Sequence, residues 1–225
     1  MPFEYVDVFD KKDLPPLPSG KRYLDFLGGT KNLRCYILPE DFPRCDFLSN
    51  YGNELDEILH PIYKNNGISI SQDTTYAVPG FYVLGYSKQC PAMDMLSSIQ
   101  FQRAAYLLRE TRKGMRDRLG IQVVRLGLCE TKASSASTHI WMPPIYAKYA
   151  PGYKGGIADG FNFIEYFSKF TLSENRDRIL HCNNVMKQYF KDISLIERDN
   201  ELSKLLDCME PQTERLENDG GRTEI

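Results

Sequence analysis

Histidine is scarce in this chain. Three occur in 225 residues, His60, His139 and His181, and none stands at a spacing that would join it to a cysteine in a metal site. The six cysteines, Cys35, Cys45, Cys90, Cys129, Cys182 and Cys208, include no Cys-x-x-Cys pair. They are also too thinly spread for the disulfide framework of a small secreted domain. Reduced thiols in a cytoplasmic protein, with no metal and no cofactor, are the expectation. Charge of one sign is missing too. The formal net charge is −2, so no global field marks a nucleic-acid or membrane-surface binder. No apolar run approaches the roughly 18 residues of a membrane span. Residues 1–13 alternate apolar with acidic positions and carry neither the basic start nor the apolar stretch of a secretory signal. Internal repeats are absent, and tryptophan occurs once, as Trp141.

What is present reads as one decorated domain. Residues 1–66 form an N-terminal extension packed on the main body: a short strand through Phe3, Tyr5, Val6 and Val8, a proline-rich linker over 14–18, a strand over 34–38 stopped at Pro39, and a short helix over 54–59 ending before Pro61. The core runs over 67–146. Asn65-Asn66-Gly67 opens its first strand, where Ile68 and Ile70 alternate with Ser69 and Ser71. Val78-Pro79-Gly80 is a turn before a second strand over 81–86, which makes the two antiparallel neighbours.

A long helix follows. Ser97 or Ser98 caps it, and Ile99, Phe101, Ala104, Ala105, Leu107, Leu108, Met115 and Leu119 supply the apolar face. Arg103, Arg109, Arg112, Lys113, Arg116 and Arg118 make the outer face basic and solvated, and complement the C-terminal end of the helix dipole. Gly120 stops the helix. A strand over 121–128, a polar small-residue loop over 129–138 and a strand over 138–142 complete the core. On that last strand Thr138, Ile140 and Met142 share one face, and His139 and Trp141 share the other.

Residues 147–208 are a loop and helices packed on the core. Tyr146, Tyr149, Tyr153 and nearby glycines make an aromatic loop suited to cover a site, and residues 161–170 are a short aromatic helix. Thr171-Leu-Ser-Glu174 fits a capping box ahead of an amphipathic helix over 175–193. Residues 209–225 are polar and acidic, the composition of a disordered tail.

The chemistry gathers between residues 134 and 146. Ser134, Ser135, Ser137 and Thr138 place hydroxyl donors, and the small residues among them bring backbone N–H groups, where phosphate oxygens would be held. His139 follows directly. Neutral imidazole is a competent phosphoryl acceptor once its second nitrogen is oriented by a hydrogen bond. The same histidine is also compatible with a plain structural role, capping a strand beside a tryptophan. Trp141 reads as a packing or base-stacking residue, and Lys88 and Lys132 are further phosphate partners.

From about Gly67 to Pro144 the residues and the order of elements resemble the HIT (histidine triad) superfamily of nucleotide hydrolases and transferases. Phe81 to Leu84, followed by Ser87-Lys88-Gln89 and Met93-Asp94-Met95-Leu96, looks like that family's strand, turn and helix entry. The basic amphipathic helix ending at Gly120 looks like its long helix. Thr138-His139-Ile140-Trp141-Met142-Pro143 looks like the end of its His-φ-His-φ-His-φ-φ signature. Aligned on the proline, His139 matches the middle, nucleophilic histidine, while Ser137 and Trp141 replace the first and last.

The resemblance implies an α+β fold, a HIT-like antiparallel sheet with a long helix, plus N- and C-terminal extensions. It implies a nucleotide phosphohydrolase or nucleotidyltransferase acting through a nucleotidyl-histidine at His139. Its phosphate and nucleotide would be bound by Ser134, Ser135, Ser137, Thr138 and Trp141. The partner would be a nucleotide or a nucleotidylated small molecule, and the assembly a homodimer, with no nucleic acid and no membrane. Replacement of two triad histidines leaves a second outcome open: a catalytically degenerate module that binds a nucleotide or a protein partner.

Overall fold

Residues 4–24, 31–41, 58, 60–73, 76–88, 90, 92–129, 138–155 and 161–213 are described by a computed structural model. The expected helix over 54–59 falls almost wholly outside them, as do residues 214–225 of the expected tail. The fold is α+β, with two antiparallel sheets and a long helix.

The first sheet joins β1 (Glu4–Asp10), β2 (Lys21–Tyr23) and β3 (Lys31–Pro39) in the order β1-β3-β2. The proline-rich stretch between β1 and β2 carries no strand or α-helix, as a segment poor in backbone donors must. The second sheet holds β4 (Tyr63–Asn65), β5 (Ile68–Gln72), β6 (Tyr82–Tyr86), β7 (Gly127–Cys129) and β8 (His139–Met142) in the order β4-β5-β6-β8-β7. It therefore begins before residue 67. Asn66-Gly67 stands directly before β5, as expected, and is the two-residue turn of the β4–β5 hairpin, with φ of 42° and 79°. Two successive positive φ angles are what a type I′ hairpin needs, and Asn-Gly is the pair that tolerates them best.

The helices are α1 (Ser98–Leu119), α2 (Phe163–Phe167), α3 (Leu172–Asp192) and α4 (Leu195–Thr213). In α1 the Ser97 side chain accepts from the Gln100 N–H, and Gly120 ends the helix in the left-handed region, so both ends are set by the residues that sequence reasoning assigned to them. α4 runs on through Thr213, into the stretch expected as a tail. The Thr171 side chain makes no capping hydrogen bond to α3; the Asn175 side chain instead donates to the Thr171 carbonyl at 2.9 Å.

One face of the second sheet carries Ile68, Ile70, Tyr82, Leu84, Tyr86, Ile140 and Met142, which pack against Ala104, Leu107 and Met115 of α1 and Met186, Tyr189 and Phe190 of α3. Fully burying a side chain of this size is worth about 1.5–3 kcal/mol. Gly114 is what lets α3 approach so closely, because a Cβ there would meet the Tyr189 ring at 2.5 Å.

Three expectations are corrected. Arg103 does not face solvent; it is among the largest fully buried side chains. Its Nε donates to Asp199 Oδ1 at 2.8 Å and its Nη2 to Asp199 Oδ2 at 2.5 Å. Phe101, placed on the apolar face, is instead 47% exposed. The strand over 121–128 shrinks to β7, preceded by an isolated bridge from Val124 to Pro144. The partner segment there is Pro143-Pro144, which has no N–H to donate, so the ladder cannot run on. Ser69 and Ser71 alternate with Ile68 and Ile70 as expected, and all five residues of β5 are buried.

Candidate functional site

The alternation of β8 holds as read. Ile140 and Met142 point into the helix-covered core at 6% and 0% exposure, while His139 and Trp141 are half-buried on the opposite face. Strand pairing then sets their neighbours. His139 lies beside Gly85 on β6 and Cys129 on β7; Gly85 pairs with Ser69, and Ser69 with Lys64. A single row, Lys64–Ser69–Gly85–His139–Cys129, thus crosses all five strands on one face. Gly85 carries no side chain, so nothing from β6 competes with the imidazole for space. The next row places Ser71, Val83, Trp141 and Gly127 side by side.

The His139 and Trp141 rings are 5.7 Å apart between centroids. Phe81 stands edge-on to Trp141 at 5.9 Å. Beyond it, a second core of Val78, Phe81, Val83, Ile145, Tyr166, Phe167 and Phe170 covers the Trp141 end of this face. Two tyrosines fasten the covering segment. Tyr146 donates its hydroxyl to the Pro79 carbonyl at 2.7 Å, and Tyr166 donates to the Pro144 carbonyl at 2.8 Å while accepting from the Tyr146 N–H at 2.9 Å. Burial pushes the Tyr166 hydroxyl up to about 12, and burial likewise raises the Cys129 thiol above its ordinary value.

A cleft of about 390 Å3 opens where this aromatic segment meets the sheet edge. Arg125, Leu126, Gly127, Trp141, Pro143, Phe161, Phe163 and Phe167 line it. Phe161 lies 4.9 Å from Phe163, which lies 5.6 Å from Phe167. The Arg125 guanidinium carbon sits 5.3 Å from the Tyr153 ring centre.

Of the residues singled out in the sequence, His139 and Trp141 come together on one face. Thr138 is fully buried, and its hydroxyl has no hydrogen-bond partner among the described residues; its N–H donates to the Cys90 carbonyl at 2.5 Å. Ser134, Ser135, Ser137 and Lys132 lie outside the described residues. Lys88 is exposed beyond the end of β6. The cleft residues Arg125, Phe161, Phe163 and Phe167 were not picked out in advance. The signal available was the aromatic density of residues 146–170, which marked a covering loop without naming its contacts. Among the described residues, no group of three His, Cys, Asp or Glu side chains is placed to hold a metal ion, and no helix is long and apolar enough to cross a membrane.

No protein-family model matches the chain, and no curated protein matches it in sequence. Among solved structures, the chain overlays on the NitFhit protein of C. elegans with a TM-score of 0.40 and 9% identity, covering 76% of this chain and 31% of that one. An overlay that loose assigns neither a family nor an activity.

Proposed function

We propose that this chain is a HIT-like nucleotide phosphohydrolase or nucleotidyltransferase that works through His139. A ring nitrogen of His139 attacks the α-phosphorus of a nucleotide or nucleotidylated small molecule. The P–N bond forms as the P–O bond to the leaving group breaks, and the leaving oxygen takes up a proton from solvent. Water, or an acceptor hydroxyl, then attacks the phosphorus, breaks the P–N bond and loses its proton. Ser134, Ser135 and Ser137 hold the phosphate oxygens, and Trp141 flanks the nucleotide. Thr138, with its hydroxyl enclosed, positions the strand that carries His139.

The observation that supports this reading is the place of His139 on the sheet. It stands on the face turned away from α1 and α3, half-buried, beside a glycine and within a row of polar residues. A second reading, a binding module without turnover, draws on Trp141, which occupies the position of the last triad histidine and has one N–H but no titrating group. Incubation with a panel of radiolabelled nucleotidyl substrates tests both. The expected result is an acid-labile protein adduct that disappears in His139→Ala. Turnover that survives the substitution would sink the nucleophile assignment, and nucleotide binding with neither adduct nor turnover favours the module. A homodimer belongs to the same proposal, and light scattering behind size exclusion measures it.

A further inference from the structure

The lining of the cleft beside Trp141 has an unusual chemical make-up. Four of its eight residues are aromatic, Trp141, Phe161, Phe163 and Phe167; the single charged one is Arg125, and there is no acid. Flat ring faces reward a flat partner, since a π-face stacks on any planar ring of similar size. A guanidinium adds a rigid fork of donors for carbonyl or ring-nitrogen acceptors and a charge that favours an anion. At about 390 Å3 the space falls within the roughly 300–1,000 Å3 of small-molecule sites.

Trp141 links the cleft to the histidine: it lines the cleft, and its ring centre lies 5.7 Å from that of His139. Two residues along a strand on one face are about 6.6 Å apart. That step suits a sugar placed between a phosphate and a ring. We infer that the cleft holds the base of the nucleotide whose phosphate lies at His139. The inference rests on the His139 reading for where the phosphate goes, but apart from Trp141 its residues are different ones. Arg125 and Gly127 come from the segment entering β7, and Phe161, Phe163 and Phe167 come from the aromatic segment beyond β8. Apart from Trp141, the chain thus supplies the base site from parts that are not those supplying the phosphate site.

Trp141 is the chain's single tryptophan, so its emission reports on the cleft without any turnover. Adenosine, guanosine, cytidine and uridine, each without phosphate, are titrated into the full chain. At least one should change the emission saturably, and its dissociation constant should rise tenfold or more in Gly127→Val and in Phe163→Ala. Gly127→Val fills the cleft without emptying the core: an added Cβ would meet only Trp141 Cβ, at 4.0 Å. If no nucleoside alters the emission, or if the change persists undiminished in both folded variants, the base site is overturned. The two assignments fail separately. A titration that succeeds while no adduct forms at His139 tells against the phosphate chemistry alone, and an adduct with no nucleoside response tells against the cleft alone.

Discussion

Replacing Asp199 strands a buried guanidinium. The Arg103 and Asp199 side chains are 2% and 0% exposed, and the carboxylate also accepts from the Tyr63 hydroxyl at 2.6 Å and the Asn65 amide at 2.8 Å. Removing one member of a buried pair costs about 3–5 kcal/mol, because the survivor remains charged and enclosed. Arg103 keeps bonds to the Asn66 and Asn65 carbonyls at 3.0 and 3.3 Å, which places Asp199→Ala at the lower end, about 3 kcal/mol. Arg103→Met should cost a similar amount, about 3 kcal/mol, by leaving the carboxylate uncompensated. The double variant removes both charges at once and should lose about 2 kcal/mol less than the sum of the singles. Urea unfolding followed by circular dichroism gives all three values. Additivity within about 0.5 kcal/mol would refute the reasoning, because it would mean that neither charge depends on the other. pH provides a second axis. Burial pushes the Asp199 carboxyl up, but the donors from Arg103, Tyr63 and Asn65 outweigh it and hold the group below its ordinary range. A depressed folded value means that this stabilisation is complete above the unfolded value of about 3.9 and is lost as pH falls through the folded one. The stability gap between wild type and Asp199→Asn should therefore close on acidification below about pH 4.

Gly114→Ala sets helix propensity against packing. Alanine would gain about 1 kcal/mol in a free helix, but its Cβ would meet Tyr189 Cδ1 at 2.5 Å and Met186 Cε at 2.8 Å. Overpacking of this kind costs about 1–3 kcal/mol, so the melting temperature should fall, and a rise would show that α3 can retreat freely. Gly67→Ala places a side chain at φ of 79°, which should cost about 1–2 kcal/mol in the same assay; no loss would mean that the hairpin turn is not as described. Burial pushes the Cys35 and Cys182 thiols up to about 11, whereas Cys208 is exposed. A thiol reagent at pH 8 should label Cys208 in the folded protein and reach Cys35 and Cys182 only on unfolding, as peptide mass spectrometry will show; native labelling of Cys182 at the rate of Cys208 would contradict the packing of α3.

Local pattern served where local physics decides. The ends of α1 follow from Ser97 and Gly120 because a cap is satisfied within one turn, and the two faces of β8 follow from a period of two. Pattern failed where the deciding partner is far along the chain. Arg103 sits among basic neighbours and reads as solvent-facing; its carboxylate lies 96 residues away on α4. The strand over 121–128 has β-prone residues, but its length was set by two prolines on the opposing segment. The cleft was hidden for the same reason: it is assembled from residues 125–127, 141–143 and 161–167, and only the fold brings these together.

The candidate site and the core are specified by one pattern. A slip of β8 by one residue against β6 would turn Ile140 and Met142 out to the His139 face and bury the imidazole in their place. Two core side chains, each worth about 1.5–3 kcal/mol, oppose that slip. The register that seats Ile140 opposite Leu84 is therefore the one that holds His139 opposite Gly85. The packing of Ile140 and Met142 thereby enforces the placement of the imidazole. Substitutions on the two sides of the strand should accordingly separate. Changes at Ile140 or Met142 act on folding and reach the site only through register, while changes at His139 or Trp141 act on the site and leave the helix-packed face intact.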